Sequence, residues 1–278
     1  MSRSRQYIMS LVGFLHRVAG RENLTAGEAE EAMSVILKGG ASVAQIASFL
    51  VALRMKGETA EELLGFARAM RRMASSAPVE LNGETLLDTC GTGGDGLGTF
   101  NVSTIAAFVV AGAGVKVDKH GNRSISSHCG SADVLERLGV KIAQTPDQAA
   151  RAIREIGIGF LFAPAYHPAM KHAQPARLEL KMRTVFNLLG PLTNPARATA
   201  QLVGASSAQA AELMAGALAA LGLARGFVVH GSDGLDEVTT TGPTLALEVC
   251  QGHVIQRTLA PEDFGLATAS LAELKGGD

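Results

Sequence analysis

The sequence has no tryptophan, two tyrosines and only 4% aromatic residues, so any core must be built from Ala, Val, Leu and Ile. It has three cysteines, Cys90, Cys129 and Cys250, in an odd count with no CxxC spacing. That argues against a disulfide scaffold or a zinc site and suits a reducing cytoplasm. It has little net charge: 25 Lys and Arg oppose 26 Asp and Glu, a formal charge of −1. No general field draws nucleic acid or an acidic membrane, although a local basic pocket remains open. Long hydrophobic runs are also missing, since glycine breaks each one well short of about 18 residues. The stretch after Arg3 and Arg5 loosely mimics a signal peptide, but Ile8, Leu11, Val12, Leu15 and Val18 recur at helical spacing and read as one face of a surface helix. With 278 residues, 47% hydrophobic and 18% charged, the chain has enough apolar mass for one large domain or two ordinary ones.

Residues 1–75 read as helix throughout. Thr25 with Glu28, Ser42 with Gln45 and Thr59 with Glu62 form three capping boxes, and Lys38-Gly39-Gly40 and Lys56-Gly57 are stop signals. The expectation is a bundle of four short helices. The pattern changes near Ala77-Pro78. Apolar strands are expected at 85–88, 114–117, 159–163, 200–203 and 225–230, alternating with helices at 131–138, 146–156 and 207–221. A hairpin is expected around Gln251-Gly252. The fold class is therefore α/β: a small N-terminal helical domain (1–75, joined by part of 165–190) and a larger α/β domain (76–278) with a mostly parallel central sheet.

Four stretches carry chemistry. Gly91-Thr92-Gly93-Gly94-Asp95-Gly96-Leu97-Gly98 holds five glycines in eight residues and leads through Thr99 and Asn101 to Ser103 and Thr104 at a helix start. Such a loop brings backbone amides close to an anion and adds a helix dipole. It lacks the Gly-Lys-Ser/Thr of a Walker loop and the spacing of a dinucleotide fingerprint. Lys119-His120-Gly121-Asn122-Arg123 with Ser126 and Ser127 is a second donor-rich stretch, suited to gripping phosphate. Asp236-Glu237 is a carboxylate pair that suits Mg²⁺, which takes one or two carboxylates plus water and substrate phosphates. His167 to Arg177 is helix-compatible. Arg177 could hold a carboxylate, while His167, Lys171 and His172 stay ambiguous. No catalytic triad or nucleophile elbow is present, and Cys129 has no evident activating partner.

Together with Ser131 to Leu135 and the run from Arg183 to Asn194, these stretches resemble, in order and spacing, the anthranilate phosphoribosyltransferase family. The resemblance implies 5-phosphoribosyl diphosphate and anthranilate as substrates, Mg²⁺ as cofactor, no nucleic acid or membrane partner, and a homodimer through the helical domain. It implies that Gly91, Gly94, Asp95, Thr99, Asn101, Lys119, Ser127 and Ser131 line the sugar diphosphate site. Ser103, Asp236 and Glu237 would hold metal, and Asn122 and Arg177 would face anthranilate. Val102, Thr104, His120, Gly121, Arg123 and Ser126 complete the substrate-binding candidates. No acid–base residue is assigned, because alignment and charge neutralisation suffice for this transfer.

Two departures stand out. His128-Cys129 and Leu178 replace residues frequent in the family, and the family usually continues several dozen residues past Asp278. The latter implies a shortened chain with exposed apolar surface and reduced stability. The rival readings are a pyrimidine nucleoside phosphorylase, which shares the glycine loop, and a non-catalytic nucleic-acid-binding relative. The Asp236-Glu237 pair disfavours both.

Overall fold

The computed structural model describes residues 10–124 and 129–276. The N-terminal layer is four helices, α1 (Leu11–Ala19), α2 (Ala26–Leu37), α3 (Val43–Lys56) and α4 (Ala60–Met73). Each of the three expected capping boxes is formed, with Thr25, Ser42 and Thr59 accepting from the N3 amide and Glu28, Gln45 and Glu62 answering the cap. Gly57 ends α3 at a φ of +89°. The buried faces of these helices carry Phe14, Met33, Ile36, Phe49, Leu50 and Phe66.

Glu62 does more than cap α4. It is fully buried, accepts from the amides of Leu24 and Thr59 at 2.9 Å each, and pairs with Lys56 at 3.0 Å. The segment before α2, the end of α3 and the cap of α4 thus meet on one carboxylate.

The rest of the chain winds a seven-stranded sheet in the order β3-β2-β1-β4-β5-β6-β7. β1 (Leu86–Gly91), β2 (Lys116–Gly121), β3 (Ile158–Phe162), β4 (Ala200–Gly204) and β5 (Arg225–Gly231) are parallel. β6 (Thr244–Cys250) and β7 (His253–Leu259) add an antiparallel hairpin turned by Gln251 and Gly252, both at positive φ. Helices α5 (Val102–Gly112), α6 (Ser131–Arg137) and α7 (Pro146–Ile156) accompany the β1 to β3 half, and α11 (Ala208–Ala220) packs on β5 and β6. The short helices α8 (Ala163–Tyr166), α9 (Gln174–Leu180) and α10 (Phe186–Leu189) run back to the bundle, where α9 meets α3 and α10 meets α4. One apolar cluster runs from α1–α4 through Leu189 and Leu192 to α11 and Val203 and Val228 of the sheet. Helical layer and sheet therefore share a core. α5 leaves Ile105, Phe108 and Val109 exposed. Among the described residues no helix is long and apolar enough to cross a membrane.

Two strands lie further along the chain than expected. β2 starts at Lys116, not at 114, because Gly114 (φ +91°) still belongs to the turn that closes α5. It then carries Asp118, Lys119 and His120 through the middle of the sheet, buried to 7% exposure or less. β1 likewise extends past Asp88 to Gly91. Both strands contain buried polar residues, and a search for apolar runs stops at them.

Replacing Glu62 with Ala leaves Lys56 buried and two amides without an acceptor. The expected loss is about 3–5 kcal/mol of stability, read as a lower midpoint in urea unfolding. Glu62→Gln keeps part of the hydrogen bonding and should fall between the two.

Candidate active site

In a parallel sheet a ligand crevice opens where neighbouring strands send their following segments to opposite sides. Here that point lies between β1 and β4. The partner β1 takes next in sequence is β2 on one side, while β4 flanks it on the other, and Gly91 is in register with Gly204 at their carboxyl ends. The glycine loop leaves from β1 at this point. Gly93, Gly94, Gly96 and Gly98 all have φ between +62° and +76°, a conformation that side-chain-bearing residues rarely adopt. The loop is anchored by the Thr92 amide donating to the Gly204 carbonyl at 2.9 Å, and by the Ser206 amide donating to Thr92 Oγ1 at 3.1 Å. Arg183 holds its carbonyls, donating to Gly93 at 2.7 Å and Gly94 at 2.9 Å while also reaching Ser206.

The acidic pair enters the same crevice from the segment after β5. Asp236 Oδ2 accepts from the Gly93 amide at 2.8 Å. A Cβ on Gly204 would lie 1.6 Å from the Asp236 carbonyl, so only glycine admits this approach. Glu237 lies under the influence of the Ser103 amide at the start of α5 and of Lys119. Burial, and then the negative charge of Asp95, raise the Asp236 pKa. Burial and the neighbouring Asp236 push Glu237 up to about 8, with Lys119 only partly offsetting them. Carboxylates crowded in this way, with hydroxyl and carbonyl oxygens near, suit a hard divalent cation. No group of three or more metal-ligating side chains converges among the described residues. An ion that keeps most of its water and takes substrate phosphates needs no such cage.

Lys119 and His120 emerge from β2, not from a loop. The Lys119 ammonium donates to the Thr89 carbonyl and, at 3.3 Å, to Ser103 Oγ. The Asn101 side chain donates to the Cys129 carbonyl at 3.1 Å, which ties the start of α5 to the second donor-rich stretch. Thr104 Oγ1 is buried without a hydrogen-bond partner. Gly121 and Asn122 close β2, and Ser131 Oγ donates to the Asn122 carbonyl at 3.3 Å. Arg123 is held by Asp133 and Glu136 at 2.9 and 2.8 Å. Arg177 stacks on Phe186 at 5.1 Å. Phe186 lies three residues after Arg183, whose guanidinium holds the glycine loop. Ser126, Ser127 and His128 lie outside the described residues. Thus Gly91, Asp95, Ser103 and Lys119 lie beside the acidic pair, while Gly94, Thr99, Asn101 and Val102 follow on the same loop and helix start. His120 sits behind them, Arg123 beside them, and Arg177 on a different element.

The sequence reading did not single out the polar layer beneath this crevice. Asp88 accepts from Asn194 at 2.8 Å and from the His120 amide at 3.2 Å, while Gln201 donates to the Pro191 carbonyl at 2.9 Å. Burial raises the pKa of Asp88, and burial plus Asp88 raise that of Asp118 beside it. His120 and His167 lie with ring centroids 5.3 Å apart, and burial lowers them to about 3 and 4, so both are neutral. The available signal was an aspartate inside an otherwise apolar strand.

Glu237 is protonated in the folded chain up to about pH 8, whereas the free side chain ionises near 4.5. Its contribution to stability is therefore full below about 4.5 and lost as pH rises through 8. Calorimetry of the metal-free protein should show the melting temperature falling across this window, with a smaller slope in Glu237→Gln. Mg²⁺ should raise the melting temperature most at the alkaline end. A slope unchanged by the substitution would contradict this placement.

Comparison with known proteins identifies the family. Residues 12–74 match a glycosyl transferase family helical bundle domain and residues 83–278 the a/b domain of that family. An anthranilate phosphoribosyltransferase of Solibacter usitatus is 68% identical, over 97% of this chain and 79% of that protein. One from Moorella thermoacetica is 55% identical, over 95% and 77%. The crystal structure of the enzyme from Thermus thermophilus has a TM-score of 0.87 at 48% identity, covering 97% of this chain and 78% of that one. The Saccharomyces cerevisiae enzyme in complex with PRPP and Mg has a TM-score of 0.87 at 31% identity, covering 98% and 78%. With its helical bundle, its switch-point crevice and these relatives, the chain belongs to the anthranilate phosphoribosyltransferases.

Proposed function

We propose that this chain transfers the phosphoribosyl group of 5-phosphoribosyl diphosphate to the amine of anthranilate, a step of tryptophan biosynthesis. The observation that carries the reading is the meeting of the glycine loop with the Asp236-Glu237 pair across the Gly91/Gly204 register. In the transfer, the bond from ribose C1 to the diphosphate oxygen breaks, a bond from C1 to the anthranilate nitrogen forms, and the amine releases a proton. The nucleophile is a neutral aromatic amine, so no base is needed before attack. What the protein must supply is stabilisation of the leaving diphosphate and alignment of the two reactants.

The residues divide along those lines. Amides of the glycine loop and the start of α5, with Thr99, Asn101, Ser103, Thr104 and Ser131, bind the phosphate groups. Lys119 adds a fixed positive charge at the crevice wall. Arg183 keeps the loop carbonyls turned toward itself and away from the phosphates. Asp236 and Glu237, with Ser103 and water, would hold Mg²⁺. The bound ion would neutralise the diphosphate as it departs. Asn122 and Arg177 face anthranilate, whose carboxylate suits a guanidinium. Arg123, braced by Asp133 and Glu136, positions the second donor-rich stretch. We also place the protein in the cytoplasm, where its three cysteines stay reduced, and as a homodimer through the helical layer.

The test is direct. Anthranilate fluoresces, and a chain without tryptophan gives little competing signal. Purified protein with PRPP and Mg²⁺ should quench anthranilate fluorescence with turnover, and nucleoside plus inorganic phosphate should give none. Asp236→Asn with Glu237→Gln should abolish metal-dependent turnover, a fall of about 10²-fold or more, with an unchanged circular dichroism spectrum. Arg177→Ala should raise the KM for anthranilate about tenfold or more and leave that for PRPP nearly unchanged. An equal effect on both substrates would remove Arg177 from the anthranilate position.

A further inference from the structure

The catalytic crevice lies at the carboxyl ends of the parallel strands. At the opposite edge, a cavity of about 510 Å³ opens between α4 and the segments that lead into β4 and β5. Arg68, Arg71, Arg72 and Arg197 line it, against a single acid, Glu30. Four guanidiniums against one carboxylate is a strong local excess in a chain whose formal charge is −1. Arg197 lies just before β4 and Leu223 just before β5, so the length of a five-residue strand, about 16 Å, separates this cavity from Gly204 and the acidic pair.

The arginines are not equally engaged. Arg72 pairs with Glu30 and donates to Ser34 Oγ at 2.9 Å. Arg71 donates through Nε to the Leu192 carbonyl at 2.6 Å. Arg68 and Arg197 make no side-chain hydrogen bond or ion pair among the described residues. Arg197 also takes a left-handed φ of +56°, an uncommon conformation for a non-glycine residue. Burial, and then the charge of Arg197, lower the Arg71 pKa to about 10. Leu221 and Leu223 supply an apolar wall.

We propose that this cavity binds a small, multiply charged phosphate-type anion, at a site separate from catalysis. Guanidinium groups grip phosphate through two parallel hydrogen bonds each, and two of the four are uncommitted. The volume falls within the range of small-molecule sites. The site is a concave pocket in a near-neutral chain, not a basic stripe, which favours a small anion over a nucleic acid.

The test is isothermal titration calorimetry of the intact protein with inorganic triphosphate in EDTA, where no metal-dependent binding in the crevice contributes. Saturable binding, weakened by salt, is expected. Arg68→Gln with Arg197→Gln should weaken it about tenfold or more while transferase turnover and the circular dichroism spectrum stay unchanged. Arg71 is left intact because it holds the Leu192 carbonyl. Asp236→Asn with Glu237→Gln should not weaken it. ATP as a second probe distinguishes the sources of the phosphate: equal affinity assigns the site to oligophosphates, and tighter binding assigns it to nucleotides whose base rests on Leu221 and Leu223. The proposal is overturned if no saturable binding occurs up to about 1 mM, an affinity too weak to matter for a small ligand. Binding that survives the arginine substitutions, or is lost with the acidic pair, would overturn it equally.

Discussion

One contact organises the active crevice: the Asp236 carboxylate accepting the Gly93 amide while its own backbone presses on Gly204. It joins the segment after β5 to the loop after β1 across the ends of two neighbouring strands. Gly91 faces the Asp236 carboxylate and Gly204 the Asp236 backbone, and at both positions a side chain would stand where the acid must sit. The flexible glycine loop thus gains a fixed point, and the acidic pair gains a fixed orientation toward it.

That arrangement has an electrostatic consequence. Asp236 feels the charge of Asp95 and Glu237 that of Asp236, with Lys119 as the cation facing Glu237, and burial compounds the repulsion. The folded chain accommodates these crowded carboxyl groups because its core is large elsewhere. The apolar cluster from the bundle through Leu192 to Val203 ties the sheet to the helical layer. A site that is unfavourable when empty is tuned to bind cation and phosphate together, each compensating the other. Beneath it, neutral His120 and His167 and the Asp88–Asn194 contact add polarity without adding mobile charge.

Much of the local structure was legible in the residues. Thr25, Ser42 and Thr59 announce helix starts because a hydroxyl three residues before a Glu or Gln satisfies amides that nothing else reaches, and all three boxes form. The glycine loop was legible for the same local reason, since four of its glycines need backbone angles that other residues avoid. Strand ends were less legible. Asp118, Lys119 and His120 look like loop residues, and only their position between β1 and β3 shows that they are buried in the sheet. The part played by Arg183 was equally hidden, because its partners lie ninety residues away.

What the sequence determined by itself is what depends on near neighbours: helix caps and stops, the alternation of strands and helices, the hairpin turn, and the types of group available for chemistry. Tertiary structure decided which groups meet. Asp236 finds Gly93 across 143 residues, Asn194 finds Asp88 across 106, and Arg183 finds Gly93 across 90. The reason is geometric. Caps and turns are satisfied within a few residues of chain, whereas the crevice exists only once parallel strands are in register and their carboxyl ends lie side by side.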